Sequence, residues 1–502
     1  MNNVTIETKY AKLEGFLSEN KVNSFLGIPY AKPPVGEGRW RAPEKLDYSD
    51  KTISVTEYGL SAMQHYDQWE LASVREKGED CLTLNVWVKD MEKRNQPVMV
   101  YIHGGGYYSG GSSDPLYDGE KLAMNNDVVI VSINYRINFY GFMNFASIDP
   151  TYKESGYCGI LDQVAALKWV QENIELFGGD KNNVTLFGES AGSGSVCLLS
   201  VTPAAKGLFH KAIAESGPIS LYSTPEHSAM IAKDFMEMNG CSSMAEMAAK
   251  SVEELNVVYE QLREKYYYDI ELMFAPTCDG EFMPAQPFKA LKDGAAKDIK
   301  FMTGTTKNEY NYWSLYYDDL ANEMPVFHKC VIPIMFDGKL DVDQYAEEFK
   351  QKNPDMDPGE RYLEFMTQMD FRVGTELMAE YQSKYNDTYM YFFTYKSTIP
   401  KLDSCHAIEV PFVTGNLDSE SGLSFTGENP PEHLSVEAQA AWVNFAATGN
   451  PNGGKVPAAW DKFTPEVHAI MEINDKEWKM HHHLNDENVK MLRPAFENSL
   501  VK

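Results

Sequence analysis

The stretch Val184-Thr185-Leu186-Phe187-Gly188-Glu189-Ser190-Ala191-Gly192 constrains the fold more than any other. Val184 to Phe187 is short, apolar and β-prone, and Ala191, Ser193, Gly194 and Ser195 supply small residues to a helix that follows at once. Gly188 and Gly192 bracket Ser190 in the spacing G-x-S-x-G. A serine on so tight a strand-to-helix turn takes strained backbone angles, and only small neighbours leave room for it. The turn lifts the hydroxyl clear of the sheet and aims the first helical amides, with their partial positive charge, at whatever the serine attacks. Glycine and serine are common in loops, so the spacing alone says little. The strand before it and the helix after it are the context the motif requires.

Other segments follow the same grammar. Pro97 to Ile102 is a continuous apolar run, as in a strand covered on both faces. It leads into His103-Gly104-Gly105-Gly106-Tyr107-Tyr108. Three successive glycines cost conformational entropy, and amides brought close to a reacting oxyanion would justify them, with a flexible loop as the alternative. Glu79 to Trp87 alternates in the manner of a strand, and Val128 to Asn134 reads as a second buried strand. Leu161 to Leu176 has helical spacing and stops at Phe177-Gly178-Gly179-Asp180. Asp298 to Thr305 and Thr388 to Phe393 read as further strands, and 432–447 as a helix stopped by Gly449-Asn450-Pro451. An aromatic cluster, Tyr310, Tyr312, Trp313, Tyr316 and Tyr317, follows Glu309. Alternating strands and helices predict an α/β fold with a large, mostly parallel central sheet covered by helices on both faces. With no repeat, low-complexity tract or linker, a single domain over 1–502 is expected, with embedded helical regions around 225–300 and 315–385.

Composition narrows the partners. The net charge of −28 disfavours nucleic acid and anionic membranes. No run of about eighteen apolar residues occurs, and Met1 to Glu7 has no basic-then-apolar pattern, so neither a membrane span nor a secretory leader is expected. The seven cysteines, Cys81, Cys158, Cys197, Cys241, Cys278, Cys330 and Cys405, are odd in number and include no C-x-x-C pair. That predicts reduced thiols in a cytoplasm rather than a disulfide framework or a zinc site. His481-His482-His483 resembles a metal tract, but adjacent side chains cannot all face one ion, so a surface strand or loop is expected.

Several of these passages, taken in order, resemble the type-B carboxylesterase family of the α/β-hydrolase fold, including its bacterial members and the cholinesterases. They are Phe25-Leu26-Gly27-Ile28-Pro29-Tyr30-Ala31, Glu79-Asp80-Cys81-Leu82, His103-Gly104-Gly105-Gly106, Leu161-Asp162-Gln163, Phe177-Gly178-Gly179-Asp180, Phe187 to Gly192, and Trp442-Val443-Asn444-Phe445-Ala446. The resemblance implies helical insertions forming a gorge and a triad in the chain order serine, glutamate, histidine. It assigns Ser190 as nucleophile, Glu309 as acid and His406 as base, with the amides of Gly105, Gly106 and Ala191 as the oxyanion hole. Tyr107, Trp313 and Phe371 are candidate pocket walls. Asp279 and Glu281 compete with Glu309; His103, His210 and the 481–483 tract compete with His406. The resemblance also implies ion pairs Arg39–Glu79 and Arg136–Asp162.

The implied chemistry is hydrolysis of small to medium neutral carboxylic esters through an acyl-enzyme, with no metal or cofactor and with a small-molecule ester as partner. A monomer or weak homo-oligomer is expected. A non-catalytic binding member of the fold, or an acyltransferase or thioesterase using the same triad, stays open. The chain departs from the family in places. Ala62 stands where a cysteine often pairs with the one at Cys81, Trp69 is off the register of a choline-binding tryptophan, and Tyr157 and Thr414 replace common residues.

Overall fold

Runs of β-branched and aromatic residues form buried strands because only a pleated, doubly covered surface hides every side chain. A computed structural model describes residues 2–47, 51–64, 76–266, 273–316, 336 and 340–501. Trp69, Tyr317 and Cys330 lie outside the described residues. Two compact units divide the chain: Met1–Val184, Pro203–Leu208 and Tyr222–Ala285 make one, and Thr185–Thr202, Phe209–Leu221 and Gln286–Lys502 the other.

In the first unit, strands β1 (Asn2–Glu7), β2 (Lys12–Leu17), β3 (Asn23–Pro29), β4 (Thr83–Val88), β5 (Gln96–Ile102) and β6 (Val129–Ile133) lie in the order β1-β2-β3-β4-β6-β5. Pairing is antiparallel up to β6, which runs parallel to β5. The alternation expected of β4 is absent, since all six of its residues are buried. Its polar positions are satisfied internally. Asn85 Nδ2 donates to Ser132 Oγ at 3.0 Å, and Asn85 Oδ1 accepts from the Gly27 amide at 2.9 Å. Helix α1 (Cys158–Asn173) continues into a 3-10 turn, Ile174–Phe177. Helices occupy Pro225–Met238, Met244–Ala249 and Val252–Lys265.

Both implied ion pairs form in this unit. Arg39 holds Glu79 bidentately, Nε–Oε1 2.5 Å and Nη2–Oε2 2.7 Å, and its Nη1 donates to the carbonyls of Ala248 and Lys250. Arg136 donates to Asp162 from Nε at 2.8 Å and from Nη2 at 2.7 Å, and the Arg136 amide adds a third bond at 3.0 Å.

Strand β7 (Gly179–Glu189) begins in the first unit and ends in the second. From Thr185 onward it pairs in parallel with β8 (Lys211–Glu215), then β9 (Lys300–Thr306), β10 (Thr388–Phe393) and β11 (Ala469–Ile473), also parallel. The last strand, β12 (Lys479–His482), is antiparallel to β11. Helix α2 (Ala191–Val201) follows β7 directly and is buried at every residue, which explains its small side chains. The region 340–385 contains Val342–Lys352, Pro358–Met366, a π-helical turn Thr367–Arg372, and α3 (Val373–Ser383). Helix α4 (Glu432–Thr448) ends at Gly449, whose φ of 77° makes a left-handed cap. Helix α5 (Asp486–Leu500) is the last element. Among the described residues no helix is long and apolar enough to cross a membrane.

Candidate active site

Ser190 sits between β7 and α2 with φ 58° and ψ −125°, the strained geometry expected of it. Its amide donates to the Glu215 carbonyl at 2.9 Å, and its carbonyl accepts from Gly194 at 2.9 Å. A Cβ on Gly217 would lie 2.2 Å from the Ser190 carbonyl oxygen, so the neighbouring chain passes too close for any other residue. Ala191 is the first residue of α2, and its amide has no carbonyl one turn back within the helix.

His406 and Glu309 meet across 97 residues of sequence, Nδ1 to Oε2 at 2.7 Å. Glu309 stands just past β9 and is fully buried. Its Oε1 accepts from the Thr306 amide at 2.7 Å and from Ser216 Oγ at 2.8 Å. The His406 amide also donates to the Glu309 carbonyl at 3.2 Å, which ties the two loops together. The other face of the ring meets Glu189, the residue before the serine: Nε2 to Oε1 is 3.0 Å, an ion-pair contact that is not aligned as a hydrogen bond. Among the described residues no hydrogen bond joins Ser190 Oγ to His406. Burial pulls the imidazole down, but the Glu189 and Glu309 carboxylates outweigh it and hold His406 well above the ordinary histidine range. Trp313 and Phe371 pack on the same ring, with centroids 5.1 and 4.8 Å away.

A buried acidic cluster surrounds this core. Glu409 takes hydrogen bonds from Tyr391 at 3.0 Å and Ser216 at 3.3 Å, and burial, with the Glu309 and Glu189 charges adding, pushes it up to about 8. Glu215 accepts from Trp442 Nε1, and burial holds it well above the carboxylate range, with Glu409 adding. Burial raises Glu189 as well, against the pull of His406. Sequence reading passed over Glu189, Glu215, Glu409 and Ser216 as site residues. The available signal was carboxylates placed in apolar runs: Glu189 and Glu215 each end a buried strand.

The glycine loop belongs to the first unit. Gly105 and Gly106 have φ of 103° and 58°, and a Cβ on Gly105 would lie 2.4 Å from the Ser109 carbonyl oxygen, so neither position suits another residue. Tyr107 is 1 % exposed and packs edge-on against Phe142 at 5.2 Å. His103 stacks on Tyr135 at 4.4 Å, and burial pushes it down to about 4, so it serves as a neutral support for the loop. The His210 carbonyl accepts from Lys300 at 3.4 Å. Asp279 caps its own turn by accepting from the amides of Glu281 and Phe282, both at 2.9 Å.

A sequence model described as the carboxylesterase family matches residues 2–492. The para-nitrobenzyl esterase of Bacillus subtilis (strain 168) is 37% identical, with 99% of each chain covered. The cholinesterase of Mus musculus is 29% identical over 99% of this chain and 87% of its own length. Among solved structures, a thermophilic PNB esterase aligns with a TM-score of 0.88 at 34% identity, covering 98% of this chain and 100% of that one. A carboxylesterase of Geobacillus stearothermophilus aligns at 0.84 and 34%, covering 97% and 99%.

Proposed function

The chain belongs to the carboxylesterase family, a serine carboxylic ester hydrolase of the α/β-hydrolase fold, and from that premise we propose that Ser190, His406 and Glu309 are its catalytic triad. His406 takes the proton of Ser190 as Oγ attacks the ester carbonyl, and Glu309 holds the tautomer and stabilises the imidazolium. The amides of Gly105, Gly106 and Ala191 receive the oxyanion, each worth on the order of 10²–10³ in rate. His406 then protonates the departing alcohol and activates the water that frees the acid. The Nε2 contact with Glu189 must give way to Ser190 Oγ in the first step. The observation that carries this reading is the 2.7 Å His406–Glu309 bond built beside the strained serine turn.

The substrates are small to medium neutral carboxylic esters with aryl or alkyl leaving groups. Trp313 and Phe371, which wall His406, give the acyl or leaving group an apolar surface. The B. subtilis relative, a para-nitrobenzyl esterase by name, supports including esters of arylmethyl alcohols among the substrates. The free, buried thiols of Cys81, Cys158, Cys197, Cys278 and Cys405 support a reducing compartment, the cytoplasm. Hydrolysis of p-nitrophenyl acetate, butyrate and octanoate by wild type and Ser190→Ala tests the reading. Wild type is expected to turn over at least the shorter esters, and the variant to be silent while folded. Ester turnover retained in the folded variant would overturn it.

A further inference from the structure

The histidine tract divides its side chains among three carboxylates. His481 Nε2 lies 2.7 Å from Glu472, His482 Nε2 3.4 Å from Asp461, and His483 Nδ1 2.7 Å from Asp486 Oδ2. Asp486 also holds a second histidine, His468, whose Nδ1 is 3.0 Å from its Oδ1. The pattern arises from the register of the final hairpin. Ala469 faces His482 across β11 and β12, so His468 and His483 follow as the next facing pair, joined by an amide-to-carbonyl bond of 3.2 Å. Both residues have left-handed φ, 45° and 61°, a conformation uncommon for a residue with a Cβ. The His468 ring is fixed by stacking on buried Phe463 at 5.1 Å, and the two imidazoles stand 5.4 Å apart.

We propose that His468, His483 and Asp486 form a binding site for a divalent transition-metal ion of the zinc, nickel or copper group. The three ligand atoms lie within 4.8 Å of one another. A tetrahedral ion with bonds of about 2.1 Å places its ligand atoms about 3.4 Å apart. The set therefore closes by no more than about 1.4 Å. His483 and Asp486 have room to supply that movement, with side chains 49% and 41% exposed, while His468 stays anchored. Two imidazole nitrogens and one carboxylate suit borderline metals, whereas calcium and magnesium prefer all-oxygen sets. On binding, each imidazole presents the Nδ1 lone pair, and the proton it shared with Asp486 moves to Nε2. Water fills the remaining position. The excess of negative charge over the whole chain raises the local cation concentration. The site is built apart from His406, and its role is to clip the hairpin to the start of α5.

The test is titration of the apo full-length protein with Zn²⁺ by calorimetry, repeated with Co²⁺ to read its visible absorption. Wild type is expected to bind one equivalent with a Kd on the order of micromolar, to show the intense bands of low-coordinate Co²⁺ without a thiolate charge-transfer band, and to gain a few degrees in Tm. His468→Ala and His483→Gln should each weaken binding at least tenfold and abolish the Tm gain, with p-nitrophenyl acetate turnover unchanged. His483→Gln, at an exposed side chain, keeps the test decisive where His468→Ala impairs folding. No saturable one-to-one binding by wild type, or unchanged binding in the folded His483→Gln variant, overturns the proposal.

Discussion

His406 Nε2 lies 3.0 Å from Oε1 of Glu189, the carboxylate that immediately precedes Ser190 in sequence. This anion favours imidazolium, and in the proposed triad His406 must be neutral to accept the proton of Ser190. Glu189→Gln removes the charge and keeps the shape. The imidazolium then loses support and the histidine pKa falls, so the acid limb of the kcat/KM profile moves to lower pH. The plateau falls by up to about tenfold, because the same charge stabilises the imidazolium formed in the transition state. A pH–rate profile with p-nitrophenyl acetate measures both, and a limb moved to higher pH contradicts the assignment.

Arg372 positions Glu309, the proposed acid, without touching it. Its Nη2 donates to the carbonyls of Thr306 at 3.0 Å and Lys307 at 2.7 Å, and the Thr306 amide donates in turn to Glu309. The guanidinium is mostly buried and lies 4.5 Å over the Phe392 ring. Arg372→Ala frees the turn that presents Glu309 and leaves two carbonyls short of a donor. A displaced catalytic group can cost about 10²-fold. We expect kcat to fall about 10- to 100-fold with KM changed less than threefold, and Arg372→Lys to recover part of the loss. A variant that changes KM alone would place Arg372 in the substrate wall instead.

The strained turn was legible because strain dictates composition: only small residues surround a serine at φ 58°. The strands were legible for a similar reason, and Thr388–Phe393 falls where its aromatic run predicts. The pairing of His406 with Glu309 was not available from periodicity, since loops 97 residues apart carry no shared period, and it came from family resemblance. The acidic cluster stayed hidden because Glu189, Glu215 and Glu409 come from separate segments: the apolar runs that Glu189 and Glu215 end mark each as buried but share no period that would bring them together. The polar positions of β4 misled in the opposite direction. Asn85, a polar residue in the alternating 79–87 run, is buried and bonded to Ser132.

Glu376 gives the fold a pH dependence separate from catalysis. It lines a cavity of about 230 Å³ together with Thr305, Arg372, Asn485 and Asn488. Both its oxygens are buried, with Asn485 beside them in the cavity wall. Burial pushes it up to about 7 from 4.5, outweighing Asn485, Arg372 and Arg493, with Asp486 adding to the rise. A folded-state pKa above the unfolded one means the protonated form is favoured by folding. The stabilisation is full below pH 4.5 and is lost as pH rises through 7. Between pH 5 and pH 8 the loss is about 2.5 kcal/mol. Glu376→Gln cannot ionise, so its stability relative to wild type should rise by that amount over the same range. Urea unfolding of both proteins at four pH values checks this, and parallel curves would refute it.

The Arg136–Asp162 pair makes the sharpest stability prediction. Asp162 is fully buried and accepts three bonds, all from Arg136, whose side chain is 3% exposed. Asp162→Asn keeps the volume and removes the charge, leaving a buried guanidinium uncompensated, at a cost of about 3–5 kcal/mol. Arg39–Glu79 is bidentate too, but its side chains keep 7% and 11% exposure, so water screens the cation that Glu79→Gln would leave. Arg39 also retains the carbonyls of Ala248 and Lys250. The loss for Glu79→Gln should therefore be about half as large. Denaturant midpoints of the two variants decide the order, and equal losses would show that burial is not what separates the pairs. Because neither pair includes a residue of the proposed triad, kcat of the folded fraction should stay within about twofold of wild type in both.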